Sequence, residues 1–255
     1  MIKFFRKIRQ NLLMENKSGK YFKYAIGEIA LVVIGILIAL QINNWNENRK
    51  ERLLERKVLN EIITDLEISK ADLENDINSL NRINAQAERL KDNLIKKEGI
   101  YDSIKSDMRR TSRSSQFSPR TSGYENLKSI GISLISNDSL RKDIVILYEL
   151  IFDLAIKEGR EFEKFNNPQM NLQPFVLNHF QVDTESSRTL DSRFHEHNHV
   201  TNEMKIKDYT LLSNDEVYIT LLQRSIYDRF EKTFRYNRAI RGIDNLVEFI
   251  SLELN

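Results

Sequence analysis

Three alternating histidines, His195, His197 and His199, sit in the stretch Phe194-His195-Glu196-His197-Asn198-His199. Imidazole is a common ligand for zinc, copper and nickel, so an extended H-x-H-x-H could chelate a cation, with His179 as a further donor. The surrounding segment is polar and irregular, and no second shell of hydrogen-bonding partners is visible. A solvated loop therefore stands as the alternative. Carboxylates four residues apart, Glu61/Asp65 and Asp72/Asp76, could do acid–base work if buried, but on a charged helix they form a solvated face. The chain has no cysteine, no G-x-S-x-G and no phosphate-binding glycine loop. These patterns assign no catalytic residue and no cofactor, and they point away from an enzyme.

Residues 24–42, YAIGEIALVVIGILIALQI, show where such a chain resides. Nineteen residues at the helical rise span about 28 Å, close to the hydrocarbon thickness of a bilayer. No small-x-small cleavage site follows Ala39, so the segment reads as an uncleaved signal-anchor. Residues 1–23 carry seven Lys or Arg against Glu15 alone, which leaves residues 24–255 at a net −4. The expected topology has the basic flank in the cytoplasm and the bulk of the chain beyond the inner membrane, in the periplasm. Trp45 suits the far interface. Glu28 lies near the start of the span, where its side chain can snorkel outward. Gly27, Gly35 and Ala39 fall on one helical face, and small residues at that spacing permit close helix pairing. A plain anchor is the alternative.

The remaining elements follow from periodicity and punctuation. With 30% charged residues, 8 Gly and 3 Pro, the chain favours helices over sheet. A long helix is expected over about 45–98. Its apolar positions Leu59, Ile62, Leu66, Leu73, Ile77, Leu80, Ala87, Leu90 and Leu94 repeat every three or four residues, with Ser69 and Asn84 filling two gaps. Residues 109–123, RRTSRSSQFSPRTSG, read as a mobile loop. The arginines Arg109, Arg110, Arg113 and Arg120 lack the interleaved aromatics of a nucleic-acid site, so no nucleic-acid partner is expected. Helices over about 123–165 begin anew at the caps of Ser136-Asn137-Asp138-Ser139. Residues 166–212 read as irregular: Pro168 and Pro174 stop the preceding helix, and 181–210 are polar. A final helix over about 214–254 starts at a Ser213/Glu216 capping box, with Gly242 its weak point. Its apolar side includes Val217, Leu222, Tyr227, Phe230, Phe234, Ile243 and Ile250. The expected fold is all-α: one transmembrane helix followed, over 43–255, by an elongated antiparallel bundle or coiled coil.

Three stretches carry a resemblance: the opening MIKFFRKIRQNLL, the span YAIGEIALVVIGILIALQINNWNENRK and the later GYENLKSIGISLISNDSLRKDI. They resemble an uncharacterised family, a domain of unknown function, of single-span membrane proteins from Bacteroidetes-type bacteria. The resemblance implies an inner-membrane protein with a helical exterior domain, and it implies no activity. A helical surface held at a membrane suits a scaffold or accessory protein that meets the lipid bilayer and a protein partner, or self-associates through helices. A sensory or ligand-binding module that signals through a partner is the alternative, and metal binding at the histidine loop a more distant one.

Overall fold

The computed structural model describes residues 18–156, 168–190 and 199–254. It divides into two compact units, Met1–Lys57 and Val58–Asn255. Helix α1, Ser18–Lys96, is unbroken and contributes to both, so the anchor and the following helix are one element. No proline or glycine interrupts it between Gly35 and Lys96, and every backbone bond of a helix is local. In the first unit the apolar side chains from Ile29 to Leu40 are between 46% and 64% exposed, all round the helix. One helix of the described residues, near the N-terminus, is therefore long and apolar enough to cross a membrane, with a mean hydropathy of 2.2 in its most apolar stretch.

The second unit is built on the remainder of α1. The other helices are α2 (Ile104–Thr111), α3 (Ser122–Ile130), α4 (Asp138–Val145), α5 (Pro168–Asn178), α6 (Tyr209–Ser213) and α7 (Glu216–Leu254). A 3₁₀ turn, Ile132–Leu134, precedes α4, and a π-helical segment, Ile146–Ile151, continues it. Asn137 caps α4, accepting hydrogen bonds from the Ser139 and Leu140 amides. The apolar periodicity of α1 is borne out residue by residue: Leu59, Ile62, Leu66, Leu73, Leu80, Ala87, Leu90 and Leu94 are buried, and Ile77 is partly so. Helix α7 runs antiparallel along this seam. Cross-links descend in order: Lys70 to Asp244, Asn84 to the Ile226 carbonyl, Lys91 to Gln223 and Lys97 to Asn214.

Two apolar cores line the seam. One gathers Leu59 to Leu80, Phe117, Tyr124, Leu147, Phe152 and the end of α7 from Tyr236 to Ile250. The other gathers Leu90, Leu94, Met108, Leu172, Val176, Phe180, Tyr218 and Leu222. Along α1 and α7, Arg229 and its partners fall between them. The residue is 1% exposed. It donates to Asn84 Oδ1 at 2.6 Å, to the Thr111 carbonyl at 2.9 Å and to Ser225 Oγ at 2.9 Å. Burial pushes the group down to about 10, still well above neutrality, so it stays charged. A charge-assisted hydrogen bond is worth about 1.5–3 kcal/mol, and three of them offset a burial cost of several kcal/mol. Thr111 closes α2, whose negative dipole end adds to the match.

Several expectations need correcting. Residues 112–121 have no regular structure, yet they form a strap fastened to the core. Phe117 is buried against Phe152 and Tyr236, its amide donates to Tyr236 Oη, and the Arg120 amide donates to Ser69 Oγ. The region 166–212 is also ordered in large part. Pro168 opens α5, a position where a missing amide costs nothing, and Pro174 inside it is outweighed by burial of Leu172 and Val176. Strands β1 (Phe180–Leu190) and β2 (His199–Ile206) then form an antiparallel hairpin with an irregularity between Asp183 and Ser187. Asp183 holds that bulge, accepting from Lys205, Ser186 and the Glu185 amide, and the Lys205 contact draws its carboxyl below the usual range. Ser213 ends α6, and α7 is capped by Asp215, which accepts from the Tyr218 amide at 2.9 Å.

Two substitutions test this packing. Gly123 lies so close to α1 that a Cβ would meet the Ile62 nitrogen at 2.8 Å and the Glu61 carbonyl carbon at 2.9 Å. Backbone atoms cannot swing aside, so Gly123→Ala is expected to cost about 1–3 kcal/mol, read as a lower thermal midpoint. At the buried arginine, Asn84→Leu removes an acceptor from a charged donor and should cost a similar amount, about 1–3 kcal/mol. Asn84→Asp keeps the acceptor and adds a counter-charge, so it should melt above Asn84→Leu. The reverse order would mean that Arg229 does not depend on this oxygen.

Candidate functional site

A cleft in the second unit collects the most suggestive chemistry. Helix α2 buries Ile104, Asp107, Met108 and Thr111. Asp107 is fully buried and fastens the helix to α1: Arg89 donates to both its oxygens at 2.9 Å, and Tyr101 Oη donates at 2.8 Å. With that face turned inward, Lys105, Arg109 and Arg113, spaced four apart, line the cleft. Helix α5 and the base of the hairpin supply the apolar floor. One cavity of about 420 Å³ is lined by Arg109, Ser112, Arg113, Gln173, Val176, Leu177, Phe180 and Met204. An adjoining one of about 240 Å³ shares Arg109, Phe180 and Met204, and adds Lys105, Thr201, Asn202 and Glu203. Lys105 faces Glu203 at 3.5 Å. Among the described residues, no carboxylate pairs with Arg109 or Arg113.

The residues singled out by type and spacing fare differently. His195 and His197 lie outside the described residues, and of His199 only the backbone is described, where it opens β2. His179 is buried at the end of α5, its Nε2 2.8 Å from Asp215 Oδ2 and its ring beside Tyr218. Among the described residues no group of three or more His, Asp or Glu could hold a metal ion. Asp65 is buried, but its carboxylate takes the Ser122 hydroxyl and the Gly123 amide at the start of α3, a structural role. Glu61 accepts from Asn126. Burial raises the carboxyl of Asp76, and Lys232 opposes that rise. In the span, Gly27, Gly35 and Ala39 are exposed and Glu28 half-exposed, and a Cβ at either glycine would meet nothing within 4 Å.

Sequence reading missed one surface altogether. Tyr227, Phe230 and Phe234 were expected on the buried side of the last helix. They are 59%, 65% and 58% exposed, one above another on the outer face of α7. The buried stripe of α7 keeps the expected Leu222, Ile243 and Ile250, but its middle runs through Ser225, Ile226, Arg229, Lys232, Tyr236 and Ala239. Because Arg229 and Lys232 occupy inner positions, Tyr227, Phe230 and Phe234 fall on the opposite, outward face. Burial of a cation is the least expected reading of a helical pattern, so the middle of the inner face was drawn through Tyr227, Phe230 and Phe234. Gly242 permits close approach: a Cβ there would meet Leu147 Cδ1 at 2.9 Å, the end of a side chain on the π segment.

A family model described as "Family of unknown function (DUF6090)" matches residues 28–201. No curated protein and no solved structure matches the chain.

The outward aromatic stripe carries a direct check. Phe230→Ser and Phe234→Ser should each leave stability within about 0.5 kcal/mol, as surface replacements do, seen as an unchanged melting curve. A loss of several kcal/mol would place these rings in a core.

Proposed function

We propose, from the premise that this chain belongs to the family of unknown function DUF6090, that it is a membrane-anchored, non-enzymatic helical interaction protein of the cell envelope. The observation that carries the reading is the first half of α1, an aliphatic surface exposed on every side from Ile29 to Leu40. In water that surface costs roughly 25 cal/mol per Å², and a bilayer removes the cost. The basic flank of residues 1–23 supports an inner-membrane placement with the N-terminus in the cytoplasm and residues 43–255 outside it.

Protein partners, rather than nucleic acid, suit the second unit. Its outer face on α7 offers aromatic rings beside arginines, a composition enriched at protein interfaces. Self-association along the face of Gly27, Gly35 and Ala39 is the membrane counterpart, since among the described residues nothing lies within 4 Å of a Cβ at either glycine. A second reading, a sensory or ligand-binding module acting through a partner, is favoured by the cleft of Arg109 and Arg113.

The absence of cysteine gives a clean topology test. Ser118 is exposed in the strap, and Ser118→Cys would be the only thiol. In cells with a permeabilised outer membrane, a maleimide that cannot cross the inner membrane is expected to label it. Labelling only after lysis would reverse the topology and remove the envelope from the proposal.

A further inference from the structure

We infer that the cleft between α2, α5 and the hairpin binds a small amphipathic carboxylate, its head held by Arg109 and Arg113 and its tail on Val176, Leu177, Phe180 and Met204. The inference goes beyond the anchoring role and does not depend on it.

Charge argues for the head group. Residues 24–255 carry a net −4, yet no carboxylate among the described residues pairs with the two arginines that line this cavity. Cations at a helix C-terminus are favoured by the helix dipole, and Arg109 and Arg110 in the last turn of α2 have that explanation. It does not extend to Arg113, which lies past the end of the helix, one turn beyond Arg109, on the same cavity. Two guanidinium groups a turn apart present forked donors that match a carboxylate. Lys105 differs, because Glu203 already faces it.

The floor argues for the tail. Val176 and Phe180 are buried, and Leu177 is 52% exposed at the cavity edge. Met204 adapts its shape readily, which suits a variable apolar group. A volume of about 420 Å³ lies within the usual range of small-ligand sites, and the adjoining 240 Å³ leaves room for a longer tail. A wholly polar anion would leave this floor wet, and a wholly apolar ligand would leave both arginines without a counter-charge.

The test uses the full chain in nanodiscs and a para-fluorophenylbutanoate probe followed by fluorine NMR linewidth, with empty nanodiscs as baseline. The probe should broaden above baseline. The matching para-fluorophenylbutylammonium, with the same tail and the opposite charge, should not. Arg109→Gln/Arg113→Gln should weaken binding about tenfold or more. Leu177→Trp, which fills the cavity from its exposed edge, should do the same with an unchanged melting curve. Baseline linewidth for the carboxylate, equal broadening by both heads, or undiminished binding in a folded double variant would each overturn the inference. Should the double variant fail to fold, undiminished binding to folded Leu177→Trp overturns it alone.

Discussion

Burial of one cation constrains the second unit. Arg229 sits where two apolar cores would otherwise merge, and its three donors reach acceptors on three elements: Asn84 on α1, Thr111 at the end of α2 and Ser225 on α7 itself. A fully buried charge without those contacts would cost many kcal/mol. Sliding α7 along α1 by one turn, about 5.4 Å, would break the contact with Asn84, whereas an apolar seam of leucines would tolerate the slip. The register seen from Lys70–Asp244 to Lys97–Asn214 is therefore the one this arginine permits. The same arginine decides which face of α7 turns inward and so which aromatics turn outward.

Ser69 follows the same logic. Both polar interruptions of the α1 seam are where a polar group must be held, the Arg229 guanidinium at Asn84 and a backbone amide at Ser69. Ser69 Oγ donates to the Asp65 carbonyl one turn earlier and accepts the Arg120 amide, tying down a strap that has no ladder of its own. Asp65, one turn before Ser69, takes the hydroxyl and amide that open α3. A leucine at Ser69 would extend the apolar seam and orphan the strap. Phe117 completes the attachment by inserting its ring between Phe152 and Tyr236.

Elements whose stability is local or strictly periodic were legible in the sequence: the apolar span, the seam of α1, the Asn137 cap and the existence of α7. Elements stabilised from a distance were not. The strap looked mobile because its composition shows only one large apolar side chain, and one ring in the right cavity suffices. The hairpin escaped because its strands show little apolar alternation; cross-strand backbone bonds and the Asp183–Lys205 contact hold it, with Phe180 buried at its base. Helix α5 was hidden by two prolines that its setting tolerates. The cleft needed α2, α5 and the hairpin to be placed together, and no single stretch of sequence records that meeting. The histidine triplet, by contrast, drew attention through type and spacing alone, and its first two members fall outside the described residues.

Two exposed apolar surfaces differ in the chemistry they offer a neighbour. The surface of α1 from Ile29 to Leu40 is aliphatic or small throughout and offers no hydrogen-bonding side chain over that run. Lipid tails satisfy such a surface without hydrogen bonds, and Gly35 and Ala39 within it leave room for a second apolar helix. The α7 stripe sits among charges: Arg224 precedes Tyr227 by one turn, Glu231 and Arg235 follow Phe230 and Phe234, and Arg238 lies one turn beyond Phe234. Rings of this kind bury large areas at small entropic cost, while neighbouring charges would be stranded in hydrocarbon. A bilayer rejects that combination, and a protein surface with its own polar rim accepts it. The physical chemistry of the two faces thus suits the anchoring and the recognition we propose to different parts of the chain.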